Sequence, residues 1–172
     1  MQSGAALAQE GVVRSDRGFT LIELLIALGF IGIVSALAVP VFITSSARNA
    51  VWTGSELVGA QIRLARLQAI SHNTTFRVRF DCPSTGNVRV LVVTGDPTVD
   101  DAADRCNQTV QYDSGILTMP AGVSFGTVPT LEVNGRGIYS GSPIPRTITI
   151  NNADSSRALT VTFTGQITFE TY

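Results

Sequence analysis

The sequence predicts an α+β fold in which one long N-terminal helix packs on an antiparallel β-sheet. Apolar residues recur at helical spacing as far as about residue 71. Beyond that point apolar and polar residues alternate in short segments separated by turn residues, which is typical of strands. The first half of the helix is long and apolar enough to cross a membrane. We therefore divide the chain into a polar leader (1–18), a transmembrane helix (19–43) and an exported globular domain (44–172).

Length and composition favour a single globular domain behind this anchor. The chain has 172 residues, of which 44% are hydrophobic and 15% are charged. Without the apolar segment roughly 125 residues remain, which is the commonest size for one domain. The net charge of −1 indicates no preference of the whole chain for nucleic acid or for acidic ligands.

The apolar segment begins directly after a leader that carries Arg14 and Arg17. Residues 24–43 span about 30 Å as a helix, which matches the hydrocarbon core of a bilayer. The basic residues before the span should stay inside the cell while the rest of the chain crosses. Glu23 lies at the very start of the span, where a carboxylate is costly unless something pairs with it.

The helix continues beyond the span as an amphipathic half that ends at about Ser71. We expect a kink at Pro40, because proline removes a backbone hydrogen bond and clashes with the preceding turn. One face is predicted to pack on the sheet and is formed by Leu57, Val58, Ile62, Leu64, Ala65 and Leu67. The other face carries Glu56, Gln61, Arg63, Arg66 and Gln68. The single histidine, His72, is interpreted as a favourable cation at the helix end and not as a catalyst.

Seven segments after the helix are predicted to be strands. They are FRVRF (76–80), NVRVLVV (87–93), GILTM (115–119), VSFG (123–126), TLEV (130–133), RTITI (146–150) and ALTVTFTGQITFE (158–170). The turn Asp154-Ser155-Ser156 predicts a hairpin between the last two segments.

An acidic loop at 94–106 carries Asp96, Asp100, Asp101 and Asp104. Four carboxylates could ligate calcium, but their spacing fits no EF-hand, so a solvated loop is the better interpretation and no metal site is predicted. Arg77, Arg79 and Arg89 could form a basic stripe on one sheet face, since residues two apart share a face. Without interleaved aromatic residues such a stripe is more typical of a solvated face than of a DNA-binding surface.

Cys82 and Cys106 are the only cysteines, and no C-x-x-C or His/Cys cluster accompanies them. In a domain outside the cytoplasm an even pair favours a disulfide, here between the end of the first strand and the far side of the acidic loop. The chain has no nucleophile elbow, Walker loop or H-E-x-x-H motif. We therefore predict no catalytic residue, no cofactor and no enzymatic activity.

The stretch Gly18-Phe19-Thr20-Leu21-Ile22-Glu23 resembles the processing motif of type IV pilins and of type II secretion pseudopilins. The resemblance implies that a prepilin peptidase cuts between Gly18 and Phe19 and methylates the new amino terminus of Phe19. It also implies that Glu23 neutralises the amino terminus of a neighbouring subunit during filament assembly. Gly32 and Pro40 match the family as well, and by resemblance the helix between them loosens on assembly.

The C-terminal part, residues 115–168, looks like the GspH/FimT group of minor pilins and pseudopilins through LEVNGRGIYSG, RTITINN and ALTVTFTGQIT. This implies a minor type IV pilin that helps initiate or cap pilus assembly, or alternatively a minor pseudopilin of a type II secretion system. Implied partners are the prepilin peptidase, other pilin or pseudopilin subunits and the bacterial inner membrane, crossed once with the domain in the periplasm. Some FimT-type members bind DNA through C-terminal arginines. This chain has none after Arg157, so DNA capture in natural transformation is only a further alternative.

Overall fold

The structure is a computed structural model that describes residues 18–140 and 145–171. Except for Gly18, the predicted leader lies outside the described residues. The chain forms two compact units, residues 1–40 and 41–172, which are described separately below.

The helix α1 (Leu21–His72) is continuous and ends one residue after the predicted end at Ser71. By length and composition it is the one helix in the described part of the chain that could cross a membrane. Its most apolar window has a mean hydropathy of 2.6 and is wholly exposed. Exposing so much apolar surface to water is unfavourable, so this segment needs lipid or other helices around it.

The amphipathic half of α1 buries a different face from the one predicted. Val58, Ile62 and Ala65 are fully buried, as expected, but Leu64 and Leu67 are exposed. The rest of the buried face consists mainly of small residues, namely Val51, Gly54, Ser55, Gly59 and Ala69. Small residues let the helix approach the strands closely, as at Gly59, where an added Cβ would lie 3.3 Å from the Phe169 ring. Packing distance, and not hydrophobicity alone, decides which face is buried.

In the described residues after α1, the domain forms one short helix and nine strands. The strands are β1 (Phe76–Phe80), β2 (Asn87–Val92), β3 (Leu117–Thr118), β4 (Ser124–Phe125), β5 (Leu131–Val133), β6 (Tyr139–Ser140), β7 (Arg146–Asn151), β8 (Ser156–Val161) and β9 (Ile167–Thr171), and the helix α2 (Pro97–Asp100) lies in the acidic loop.

The strands form two sheets within the described residues, where the sequence predicted one. The first has the order β3-β2-β1-β5-β6 and the second β4-β7-β8-β9, and all pairs are antiparallel. The predicted segment 158–170 is two strands, because the chain turns at Gly165 with a positive φ of 78°. β6 and α2 were not predicted, because they are too short for a periodic pattern.

One hydrophobic cluster holds the helix and both sheets together. Its fully buried members include Val58 and Ile62 from α1, Phe76 and Val78 from β1, and Ile148 from β7. The β7–β8 hairpin forms where it was predicted, with Asn151 opposite Ser156. Asn152 in its turn donates from its amide nitrogen to the carbonyl of Ala47 at 2.7 Å, which fastens the hairpin to the helix.

Candidate functional site

The predicted assembly residues lie at the first turn of α1. Phe19 and Glu23 are exposed, and Thr20 immediately precedes the helix. The Thr20 hydroxyl accepts a hydrogen bond from the backbone N–H of Glu23 at 3.3 Å. Thr-x-x-Glu is the capping-box spacing, a local signal that the sequence analysis missed. The cap starts the helix at a defined residue, so the Glu23 carboxylate lies about one turn from Phe19.

Gly32 and Pro40, the predicted kink residues, both lie inside α1. An added Cβ at Gly32 or at Gly29 would meet nothing within 4 Å. The helix surface is therefore open at both glycines, and another helix could approach its backbone closely there. Together with the exposed apolar side chains around them, these positions form a surface suited to helix–helix association.

The acidic loop is largely solvated, as the sequence predicted, since Asp96, Asp101 and Asp104 are exposed, but its fourth acid is not. Asp100 is buried, and its carboxylate accepts hydrogen bonds from Thr94 N–H at 2.9 Å, the Thr94 hydroxyl at 3.0 Å and Gly95 N–H at 2.9 Å. Burial alone would raise the pKa of Asp100, but these hydrogen bonds and the charge of Arg77 lower it below its ordinary value. Within the described residues no group of three or more His, Cys, Asp or Glu side chains could hold a metal ion.

Asp96 caps the short helix α2 in the same loop. Its carboxylate accepts from the N–H of Thr98 at 2.9 Å, and Pro97 occupies the first helical turn. Asp-Pro at a helix start is a readable signal, because proline lacks the N–H that would be unpaired there. The acidic residues of this loop therefore organise its backbone.

The predicted basic stripe is not a solvated face. Arg77 pairs with Glu132 at 2.8 Å and with Asp101 at 3.0 Å. Arg89, opposite Arg79 across β1 and β2, is buried under residues 106–114. It donates to the carbonyls of Cys106, Gln108 and Ser114 at 2.6–3.4 Å. Arg89 thus holds the covering loop in place, Arg77 is paired with two acids, and both arginines are unavailable to a polyanion.

A buried ion pair under the same loop was not predicted. Arg105 and Asp113 form two hydrogen bonds of 2.7 and 2.8 Å, and both side chains are almost wholly shielded from solvent. Burial alone would raise the pKa of Asp113, but the bonds from Arg105 and from two backbone amides lower it below its ordinary value. The hydrogen bonds to Asp113 raise the pKa of Arg105, so both groups are charged.

The disulfide between Cys82 and Cys106 is present in the structure and joins Cys82, two residues after β1, to the end of the acidic loop. The cysteines are 24 residues apart, so on the chain-entropy model the closed loop is worth about 3–3.5 kcal/mol. The carbonyl of Cys106 is also one of the acceptors for Arg89. The covalent link and the buried cation therefore stabilise the same loop.

A ring-stacking contact and a cation–π contact also join α1 to the rest of the domain. The ring of His72 stacks on Tyr112 at 4.2 Å, so the last residue of α1 contacts the 107–113 loop. Arg157 lies between the rings of Trp52 and Phe169, at 5.0 and 4.3 Å from their centroids. Both contacts join α1 to later segments of the chain, and neither could be read from sequence spacing.

Two protein-family models match the sequence of the chain. The family model described as type II transport protein GspH matches residues 55–166. The prokaryotic N-terminal methylation motif matches residues 13–39. Among curated proteins none matches the chain significantly by sequence.

Solved structures of similar fold come from two bacteria. The type IV minor pilin FimU of Pseudomonas aeruginosa is 17% identical, covers 72% of this chain and 90% of its own, and has a TM-score of 0.51. A second crystal form of FimU is 15% identical with a TM-score of 0.49, covering 69% and 91%. The minor pseudopilin EpsH of the Type 2 Secretion System of Vibrio cholerae is 21% identical with a TM-score of 0.46, covering 68% and 93%. At 17% identity, the first FimU comparison establishes a shared fold.

The GspH model covers most of the exported domain, and the methylation motif covers the start of α1. The long helix packed on antiparallel sheets is the fold that FimU shares. The chain therefore belongs to the GspH family of pilin-like proteins and carries the prokaryotic N-terminal methylation motif.

Proposed function

We propose that the chain is a minor type IV pilin, a structural subunit that helps initiate or cap pilus assembly. One observation carries the proposal: an exposed apolar helix that begins with a Gly-Phe methylation motif and Glu23 is followed by a GspH-family domain. An exposed apolar helix of this length is useful in two settings, a bilayer and a bundle of like helices. A pilin-like subunit occupies both in turn.

Assembly depends on a new amino terminus. Prepilin peptidase cuts between Gly18 and Phe19 and methylates Phe19, which removes the leader (1–18) and leaves an α-ammonium one turn before Glu23. In the filament the Glu23 carboxylate pairs with the Phe19 ammonium of a neighbouring subunit. Opposite charges attract more strongly in a low-dielectric helix bundle than in water, so the pairing favours correct axial register.

Gly32 and Pro40 allow the transmembrane helix to change conformation when it moves from the lipid bilayer into the filament. Proline leaves one helical carbonyl without its usual donor, and glycine contributes no side chain to hold the turn. The helix between them loosens when it leaves lipid for the filament core. The predicted domain boundaries follow: transmembrane and assembly helix at 19–43, periplasmic domain at 44–172.

Before assembly the chain crosses the bacterial inner membrane once, with Arg14 and Arg17 on the cytoplasmic side. Its partners are prepilin peptidase, the inner membrane and other pilin or pseudopilin subunits. We propose a structural role for it, because the buried charged groups of the domain hold loops together, as Asp100 and Arg105 do.

The second candidate is a minor pseudopilin of a type II secretion system, which is favoured by the description of the matching family as a type II transport protein. Fold, anchor and processing motif are the same for both. DNA capture is not supported, because Arg77 and Arg89 are engaged within the domain.

The decisive experiment is mass spectrometry of the chain extracted from membranes, with and without the prepilin peptidase gene. We expect the leader to be absent and Phe19 to be methylated only when the peptidase is present. An intact leader in both strains would refute the proposal. Deleting the gene then separates the two candidates, since loss of pili identifies a minor pilin and loss of secreted substrates a pseudopilin.

A further inference from the structure

Large apolar side chains are exposed together near the end of α1. Leu67 is 65% exposed, Ile70 48%, Ile138 43% and Phe163 57%. Single exposed apolar residues are ordinary, but a contiguous group on a soluble domain marks an interaction surface. We call these four residues and the arginines around them, Arg63, Arg66 and Arg136, the helix-end patch.

Contacts around Arg66 bring the three segments of the patch together. The Arg66 Nε donates to the carbonyl of Gly137 at 3.1 Å. A Cβ on Gly137 would lie 2.8 Å from Ile70, so Ile70 and the neighbouring Ile138 are adjacent on the surface. A Cβ on Gly165 would lie 3.2 Å from the Arg66 side chain, which brings the β8–β9 turn that contains Phe163 next to α1. The patch is therefore continuous across α1 and two turns.

The rim of the patch is basic. Arg63 and Arg136 are exposed and form no side-chain hydrogen bond or ion pair with other described residues. The segments that form the patch, 57–72, 134–140 and 162–168, contain three arginines and no Asp or Glu. An apolar centre with a positive rim is complementary to an apolar surface with a negative rim.

We propose that the helix-end patch is the docking surface for another pilin-like subunit of the same assembly, one that presents an apolar surface rimmed by carboxylates. This inference rests on the proposed function and names the chemistry of one partner. Apolar burial at Leu67, Ile70, Ile138 and Phe163 supplies affinity, and the arginines set orientation and partner choice.

Two other occupants fit the helix-end patch less well. Two copies of this chain joined patch to patch would place two sets of Arg63, Arg66 and Arg136 against each other with no acid between them. Single-stranded nucleic acid is typically bound by cations combined with stacking aromatic rings, whereas the centre of this patch has one aromatic ring and three aliphatic side chains. A different, acidic protein surface is the occupant that satisfies both the apolar centre and the rim.

The test co-expresses the full chain in turn with each pilin-like subunit encoded beside it and measures how much of each co-purifies in detergent. We expect Leu67→Ser and Arg63→Glu each to reduce co-purification of one subunit about tenfold, as is usual for changes at an interface centre or a paired rim charge. Ile116→Ser and Arg48→Glu are matched controls, because Ile116 is 52% exposed and Arg48 is an exposed arginine of α1 outside the patch. Protease resistance of every variant checks folding.

A photo-crosslinker at position 67 identifies the contact, and replacing the crosslinked acid of the partner by arginine should restore binding to Arg63→Glu. Unchanged co-purification of both patch variants overturns the docking surface and leaves the proposed function intact. The docking surface is equally overturned by a crosslink to a second copy of this chain, or by DNA binding that Arg63→Glu abolishes while subunit binding persists. Failure of the wild-type chain to bind any pilin-like subunit, with an uncleaved leader, overturns both proposals.

Discussion

At the scale of single residues, Asp113 is a buried carboxylate that several donors surround. Its two carboxylate oxygens accept four hydrogen bonds, two from Arg105 and one each from the backbone N–H groups of Val92 and Val110. All of these donors point at one buried anion. The group therefore links β2 to the 105–113 loop, and its charge is needed for the ion pair with Arg105.

Asp113→Asn should destabilise the domain by about 3–5 kcal/mol, because it leaves the buried Arg105 without a counter-charge and turns an amide toward N–H donors. Unfolding of the detergent-solubilised chain in urea, followed through the single tryptophan, Trp52, measures this. Asp101→Asn is the control, since Asp101 is largely exposed and its pair with Arg77 should be worth less than about 1 kcal/mol. Equal effects of the two changes would contradict the assigned importance of burial.

Acid should also destabilise the domain. Asp113 and Asp100 have pKa values below their ordinary ones in the folded state, so the unfolded chain binds protons more readily. Their contribution is fully present above the unfolded carboxyl pKa of about 4 and is lost as the pH falls through the lower folded values. We expect the urea midpoint to be level near neutral pH and to fall below about pH 4. A midpoint that does not change down to pH 3 would show that neither carboxylate is stabilised by folding.

At the scale of elements, substitutions in the amphipathic half of α1 show which face of the helix packs in the core. Ile62 is fully buried in the cluster shared with both sheets, whereas Leu67 is exposed. Ile62→Ala should cost about 2–5 kcal/mol, because it removes buried methyl groups and leaves a cavity. Leu67→Ala should change stability by less than about 0.5 kcal/mol, as surface substitutions usually do. The reverse order, again measured by urea unfolding, would mean that the helix is rotated relative to this structure.

At the scale of the whole molecule, the role proposed for Glu23 concerns the assembled filament and not the fold of the domain. Glu23→Ala should leave leader cleavage and domain stability unchanged, because the carboxylate is exposed and distant in sequence from the domain core. It should lower incorporation into filaments at least about tenfold, since a neighbour's ammonium would be left unpaired in an apolar bundle. Immunoblots of sheared filaments measure incorporation, with Asp104→Ala as the control for loss of one exposed acid. Wild-type incorporation of Glu23→Ala would refute the pairing.

The sequence by itself determined what depends on neighbouring residues. The extent of α1 follows from an unbroken helical period, the hairpin from its turn residues, and the anchor from the length of the apolar segment. The methylation motif at Gly18-Phe19 and the family of the domain were also readable in this way, because both are local patterns. Even the cysteine pair could be predicted, since a single pairing was available.

Only the tertiary structure decided what depends on residues far apart in the chain. Leu67 and Ile62 are equally apolar, and close packing of small residues on the sheets decided which of them is buried. Arg89 looked like a solvated cation until the 106–114 loop supplied its carbonyl acceptors. Arg105 pairs with Asp113 because the loop between them folds back along β2. A periodic pattern predicts the secondary structure of one segment. Burial and charge pairing depend on which segments contact each other in the folded chain.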